Sequence, residues 1–124
     1  MKLEYIPEGS TDCPLIRLYE FESSEAKEFH GLLTRLANGE LNQVALHDLP
    51  FIAAIQECSL NLIADENNKG ISLINDNNFE CLLTVDNWSI VADLVVPFFD
   101  GTKGFQWLDE TGEISLLLSP SGKW

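Results

Sequence analysis

Positive charge is the scarcest feature of this sequence. Seven Lys and Arg residues stand against twenty Asp and Glu residues, which gives a formal net charge of −13 at pH 7. The cations are also scattered, at Lys2, Arg17, Lys27, Arg35, Lys69, Lys103 and Lys123. Nucleic acids and anionic membranes require clustered cations, so the composition argues against both as partners. It favours a basic protein partner, although negative charge also serves solubility without any partner.

The sequence also lacks the features of membrane, secreted and disulfide-rich proteins. No apolar run approaches the roughly 18 residues that a membrane span needs, and the N-terminal MKLEYIPEG has no apolar signal region. The three cysteines, Cys13, Cys58 and Cys81, are widely spaced and form no C-x-x-C pair. This spacing predicts neither a disulfide framework nor a zinc site. We therefore expect a cytoplasmic protein with reduced thiols.

Motifs for phosphate and metal chemistry are absent as well. The stretch GTKG at 101–104 lacks the G-x-x-x-x-G-K-[ST] frame of a phosphate-binding loop. Residues 65–76 begin like a calcium loop with Asp65, but Lys69 puts a cation at a ligand position and the flanks are predicted strands. We therefore predict no metal and no cofactor.

Two polar residues are weak candidates for a catalytic site. Asp93 lies in a mostly apolar helix, where a carboxyl group could serve proton transfer, and His47 beside Asp48 could activate a thiol. Cys58 and Cys81 have the inward parity of their strands, which is typical of inert buried thiols. Among twenty acids no pair stands out as general acid and base. The sequence thus favours a protein that is not an enzyme.

Apolar periodicity predicts two helices and six to seven strands. Helical spacing runs over 23–39, with a serine as N-cap and Gly39 after the last turn. A second helix over 87–96 is predicted to be capped by Asp86, to be largely buried and to end at Pro97. The predicted strands are 13–21, 43–49, 57–64, 71–75, 79–85, 104–109 and 113–120.

The order of these elements predicts the fold class. Adjacent strands joined by tight turns imply an antiparallel or mixed sheet, so we expect a single α+β domain over 1–124, with two helices packed on one sheet. The segments 57–64 and 71–75 are predicted to form a hairpin with a glycine-containing turn, and Phe79, Cys81, Leu83 and Val85 to face inward from the next strand. Several strands carry apolar residues on both faces, which suggests that a partner subunit covers the second face.

The segment WLDETGEISLLL is predicted to be a second hairpin. Residues 110–113, Glu-Thr-Gly-Glu, resemble the acidic turn that kelch-repeat receptors bind. A short loop with a late glycine between alternating apolar runs is also what a hairpin tip needs. We interpret the segment as a hairpin tip and infer no receptor from it.

Aromatic residues concentrate in the final third of the chain. They are Trp88, Phe98, Phe99, Phe105, Trp107 and Trp124. Most of them are expected in the core. The alternative for Phe98, Phe99 and Trp124 is partial exposure as an apolar anchor surrounded by acids, which is the composition of an interface hot spot with a charged rim. These three residues, together with Glu110 and Glu113, are the candidate partner-binding residues.

These patterns favour a small acidic protein that binds another protein, as an inhibitor or immunity-like module does. The evidence for this is the acidic balance together with the missing catalytic motif. One alternative is a small-molecule-binding domain or hydrolase-like enzyme with a pocket between the sheet and the second helix. Another is a self-associating structural protein that forms a homo-oligomer.

Overall fold

The computed structural model describes residues 1–124 and contains two helices and nine strands in two mixed sheets. The helices are α1 (Ser23–Ala37) and α2 (Val85–Val95). The strands are β1 (Lys2–Ile6), β2 (Leu15–Tyr19), β3 (Gln43–Ala45), β4 (Ala53–Ala54), β5 (Ser59–Ala64), β6 (Gly70–Asn75), β7 (Asn78–Leu83), β8 (Gln106–Asp109) and β9 (Ser115–Ser119). The α+β class is confirmed, whereas the expectation of a single sheet of six to seven strands is wrong.

The five-stranded sheet has the order β4-β1-β2-β9-β8. β2 runs antiparallel to β1 and parallel to β9, and β9 forms the predicted hairpin with β8. β1 was not predicted from the sequence. Its Leu3 is completely buried and lies opposite Leu18 of β2, the next strand along the chain.

The four-stranded sheet has the order β3-β5-β7-β6. β7 lies between β5, to which it is parallel, and β6, to which it is antiparallel. The predicted hairpin of β5 with β6 is therefore wrong, because β6 instead turns tightly through Asp76 and Asn77 into β7. β7 buries Phe79, Cys81 and Leu83 and takes an interior position in the sheet.

Both helices have N-cap residues other than those predicted. Glu22, not a serine, is the N-cap of α1, and its backbone N–H donates to Glu25 Oε1 at 3.1 Å. Thr84, not Asp86, caps α2, since its Oγ1 accepts a hydrogen bond from the Asn87 N–H at 3.2 Å. In both cases the cap is the last residue with extended backbone angles before the helical turn.

α2 is buried on one face only, which corrects the expectation of a largely buried helix. Trp88, Val91, Ala92 and Val95 face the core, while Ile90 is 56 % exposed. Val85 also faces solvent, because it belongs to the first turn of α2 and not to the inward set of β7. The chain after α2 tightens into a short 3₁₀ helix over Val96–Asp100 that contains Pro97.

One apolar core joins both sheets and both helices in a contiguous cluster of 27 buried residues. The two helices pack on each other, and the buried Trp88 indole N–H donates to the Ile63 carbonyl oxygen at 3.1 Å. This bond connects α2 to β5 and satisfies the one polar group that the indole brings into the core.

The C-terminal residues lie on the outer face of the five-stranded sheet. Arg17 projects from this face, donates to the Gly122 carbonyl oxygen at 2.6 Å and to Glu4 Oε1 at 2.6 and 2.9 Å, and stacks on the Tyr19 ring at 3.9 Å. Leu117, on the same face, is completely buried. The chain's own C-terminal segment thus covers part of the face for which the sequence suggested a partner subunit.

Candidate interaction surface

The two candidate catalytic residues do not form a site. Asp93 is exposed on α2. His47 is part of a short 3₁₀ turn, where its Nδ1 accepts a hydrogen bond from the Leu60 N–H at 3.2 Å and its Nε2 lies 3.8 Å from Asp48 Oδ1. The structure contains three surface grooves, and neither residue lines any of them. The arrangement gives His47 a role in holding the start of β5.

The cysteines are not arranged as nucleophiles. Cys58 and Cys81 are completely buried in the core, as their strand parity predicts. Burial raises the pKa of the Cys58 thiol to about 11, and burial also raises the pKa of the Cys81 thiol, with Asp109 adding to the effect. Cys13 is half-buried, and its Sγ lies 3.7 Å from Ser10 Oγ. Two of the three thiols are therefore protonated at neutral pH and inaccessible.

The calcium-loop resemblance also yields no site. Asp65 pairs with Lys69 at 3.4 Å, while Asp76 lies at the other end of β6. The Asn67 backbone N–H, and then Lys69, hold the pKa of the Asp65 carboxyl below its usual range. No group of three His, Cys, Asp or Glu side chains is placed to hold a metal ion.

Phe98, Phe99 and Trp124 differ in how exposed they are and in what they contact. Phe98 is only 3 % exposed and packs edge-on against Phe21, with the ring centroids 5.9 Å apart, so the expectation that it is exposed is wrong. Phe99 is half-buried, contacts the His30 ring at 5.1 Å and lines a groove of about 470 Å³. Trp124 is half-buried and lines a shallow groove with Arg17. They do not form a common cluster of exposed anchors.

Glu110 and Glu113 lie at the tip of the β8–β9 hairpin, where both side chains are exposed, so the hairpin prediction is confirmed. The tip is not a free loop. Its backbone packs on the start of β6, where Ile114 forms an isolated antiparallel bridge with Ile71. A Cβ atom on Gly70, which has a φ of +77°, would lie 2.6 Å from the Gly112 nitrogen.

Beyond this bridge, the outer edge of β6 is free. Ser72 to Asn75 have no ladder partner on that side, and all four residues are exposed. Leu73 and Ile74 have exposed fractions of 52 % and 53 %, which makes them the most exposed large apolar residues on any strand. We call this segment, 72–75, the β6 edge.

A groove of about 460 Å³ runs beside the β6 edge. It is lined by Tyr5, Pro14, Lys69, Ile71, Ser72, Leu73, Gly112, Glu113 and Ile114. The groove lies where the two sheets meet, and its floor includes Tyr5, whose ring packs against Phe79 at a centroid distance of 4.6 Å. Both hydrogen-bonding backbone and apolar side chains are therefore accessible here.

This edge was not predicted from the sequence, because β6 was expected to form a hairpin with β5. The composition of β6, GISLIN, gave no signal of an edge, because the interior strands β5 (SLNLIA) and β9 (SLLLS) also lack charged residues. The prediction that Glu113 belongs to a partner-binding surface remains a prediction, and the structure places this side chain in the wall of the groove.

No protein-family model, curated protein or solved structure matches this chain. Neither helix has the length and apolar character needed to cross a membrane.

Proposed function

We propose that this protein is a non-enzymatic module that binds a basic protein. The observation that carries the proposal is the imbalance of unpaired charge on the surface. Five acidic side chains are paired with Lys, Arg or the terminal ammonium, and Asp109 is buried. Of the twenty acids, fourteen are left without such a partner and in contact with solvent.

The cations cannot offset this excess because most of them are already engaged. Lys2, Arg17, Arg35 and Lys69 pair with acids within the molecule. Lys27 lies over the Phe99 ring, 5.9 Å from its centroid. The field around the protein is therefore negative over most of its surface, which accelerates encounters with basic proteins and repels nucleic acid and other acidic molecules.

The dependence of partner binding on ionic strength distinguishes a binder of basic proteins from a small-molecule-binding protein and from a self-associating protein. At physiological ionic strength the Debye length is about 8 Å, so exposed charges attract a partner only at short range, and added salt weakens the attraction further. We expect the immobilised protein to retain a basic protein from the native host's lysate at low salt and to release it at high salt. Retention of acidic proteins only, or retention that does not depend on salt, would contradict the proposal.

Matched charge changes then locate the binding surface. The double variant Glu110→Gln, Glu113→Gln and the double variant Asp86→Asn, Asp93→Asn each remove two exposed acids that have no cation partner. Both raise the net charge equally, so both should slow association of the purified partner slightly. A larger loss of affinity in the first variant, measured by calorimetry, would assign binding to the hairpin-tip side of the molecule.

A further inference from the structure

We propose that the β6 edge, residues 72–75, binds an extended basic segment of the partner by β-strand addition. This inference rests on the proposed function and adds to it the surface and the mode of binding. In strand addition, backbone hydrogen bonds to a free sheet edge supply affinity, and alternate side chains supply specificity.

β6 is the longest edge strand of the two sheets, and the fold leaves its last four residues, 72–75, open. The other edge strands are short, with three residues in β3, two in β4 and four in β8, whereas β6 has six. Its outer side contacts the hairpin tip at Gly70 and Ile71, and the bridge from Ile71 to Ile114 shows that this side of the strand accepts an antiparallel neighbour. The β6 edge therefore extends the line of this single bridge, and a docked strand could continue the antiparallel pairing along residues 72–75.

The β6 edge also lacks most of the devices that protect edges. Native proteins block exposed edges with lysine, proline, short strands or bulges. The sequence of β6 contains no charged residue and no proline. One protective device is present. A register shift between Leu73 and Asn75 leaves Ile74 without a partner on β7, so the regular pairing of β6 with β7 is short. The exposed Leu73 and Ile74 offer apolar surface that a docked strand would cover.

The charges around the edge select a basic occupant. Glu113 lines the groove, Asp76 follows β6 directly, and Glu80 lies opposite Ser72 on β7. None of these three acids has a cation partner, whereas Lys69, the one cation in the groove, is paired with Asp65. A second copy of the chain would bring a further charge of −13 to this edge. Charge repulsion thus disfavours edge-to-edge pairing of two copies. Attraction to the three acids favours lysine or arginine in the docked segment.

A synthetic peptide tests the inference directly. The probe is a capped, fluorescently labelled octapeptide that alternates valine and lysine, and its control carries N-methyl groups on alternate amides. The control keeps the charge but loses the donors that an edge ladder needs. We expect wild-type protein to bind the plain peptide at low salt and the methylated peptide at least about tenfold more weakly, as measured by fluorescence anisotropy.

Two variants separate the edge from the general charge. Leu73→Lys and Ile90→Lys each place one lysine at an apolar residue that is about half exposed, 52 % and 56 % respectively, and both change the net charge equally. Leu73→Lys puts a repulsive charge at the edge, so it should weaken peptide binding by about tenfold or more, while Ile90→Lys on α2 should change it by less than about twofold. If Leu73→Lys fails to fold, Ile74→Lys provides the same test.

Hydrogen exchange of the wild-type protein supplies the positional readout. The amides of residues 72–75 that point outward should exchange more slowly in the peptide complex, while the exposed amides of loop 101–105 should not change.

The possible failures are distinct. Equal binding of the two peptides, or equal losses in the two lysine variants, would overturn strand addition while leaving the proposed function intact. Absence of peptide binding would also overturn the inference, and if no basic protein is retained from lysate either, the proposed function fails with it. A concentration-dependent dimer in sedimentation that Leu73→Lys abolishes would identify a second copy as the occupant and overturn the basic segment.

Discussion

Replacing Gly70 with alanine tests the contact between the hairpin tip and β6, on which the shape of the groove depends. The new Cβ atom would lie 2.6 Å from the Gly112 nitrogen and 3.2 Å from its Cα, and both are backbone atoms that cannot rotate away. In addition, Gly70 has a φ of +77°, which costs a residue with a side chain about 1 kcal/mol or more.

Gly101 provides the matched control. Its φ of +78° is nearly the same, but no atom lies within 4 Å of the position of an added Cβ. Gly101→Ala therefore carries the backbone strain alone, about 1 kcal/mol, whereas Gly70→Ala adds the displacement of the hairpin tip, for a total of about 2–4 kcal/mol. For a chain of this size, each kcal/mol lowers the melting temperature by about 3–5 °C.

Thermal and urea unfolding, followed by tryptophan fluorescence, measure both variants. We expect Gly70→Ala to melt clearly below Gly101→Ala, and we expect the amide of Ile114 to exchange faster because its bridge to Ile71 is disturbed. Equal stability losses in the two variants would refute the reasoning, since the hairpin tip would then not pack on β6 in solution.

Three further predictions concern side chains away from this edge. His47→Ala should destabilise the protein by about 1–3 kcal/mol in urea unfolding, because the Leu60 N–H loses its acceptor; unchanged stability would contradict this. Iodoacetamide at neutral pH should reach only Cys13 in the folded protein, and slowly, with the two buried thiols labelled after unfolding; mass spectrometry that finds a buried thiol modified in the native state would contradict it. Glu25→Gln should lower stability at pH 7, as shown by unfolding at several pH values, and a loss that persists unchanged in acid would argue against the ion pair with the terminal ammonium of Met1.

The sign of the Glu25 effect follows from its hydrogen bonds. Burial raises the pKa of this carboxyl group, but hydrogen bonds from the terminal ammonium and the Glu22 N–H outweigh burial, so its pKa in the folded state lies below the unfolded value. Such a group contributes stability above its unfolded pKa and loses it as the pH falls through the folded pKa. The difference between wild type and Glu25→Gln should therefore shrink below about pH 4.

Local patterns in the sequence predicted the helices well and their caps poorly. The apolar spacing over 23–39 identified α1, and Gly39 follows its last turn with a φ of +83°, as predicted. The cap of α1 differs because the chain turns after β2 at Glu20, which has a φ of +52° and whose N–H donates to the distant Pro120 carbonyl oxygen at 3.0 Å, so that Glu22 becomes the cap. The preference of serine for N-caps did not override that position.

Strand pairing was the part that local patterns could not supply. β5 and β6 each have a clear strand pattern. β5 nevertheless pairs in parallel with β7 instead of with β6, because this arrangement buries β7 between β5 and β6. β1 was missed although Leu3 and Tyr5 alternate with Lys2 and Glu4, a period of two that is typical of a strand. Phe98 was assigned to the surface because Phe21, which covers it, is far away in the sequence.

Because the strand pairing was predicted wrongly, the β6 edge was not identified from the sequence. Glu110 and Glu113 were correctly placed at an exposed tip, but the β6 edge beside them follows from knowing that β6 is the outermost strand. A strand pattern alone does not distinguish an edge strand from an interior strand, because both satisfy their inward face in the same way.

The parallel pairing of β2 with β9 has a consequence for how the protein is made. Leu15 of β2 lies opposite Ser115 of β9, one hundred residues later in the chain. During synthesis β2 can pair with β1 at once, but its other side remains unpaired until β9, one hundred residues later, has left the ribosome. Contacts of such long sequence separation slow folding, so the nascent protein should spend an extended period with β2 as an open edge. The acidic character of the chain, which we relate to partner binding, would in that interval keep nascent copies from adding to one another's unfinished sheets.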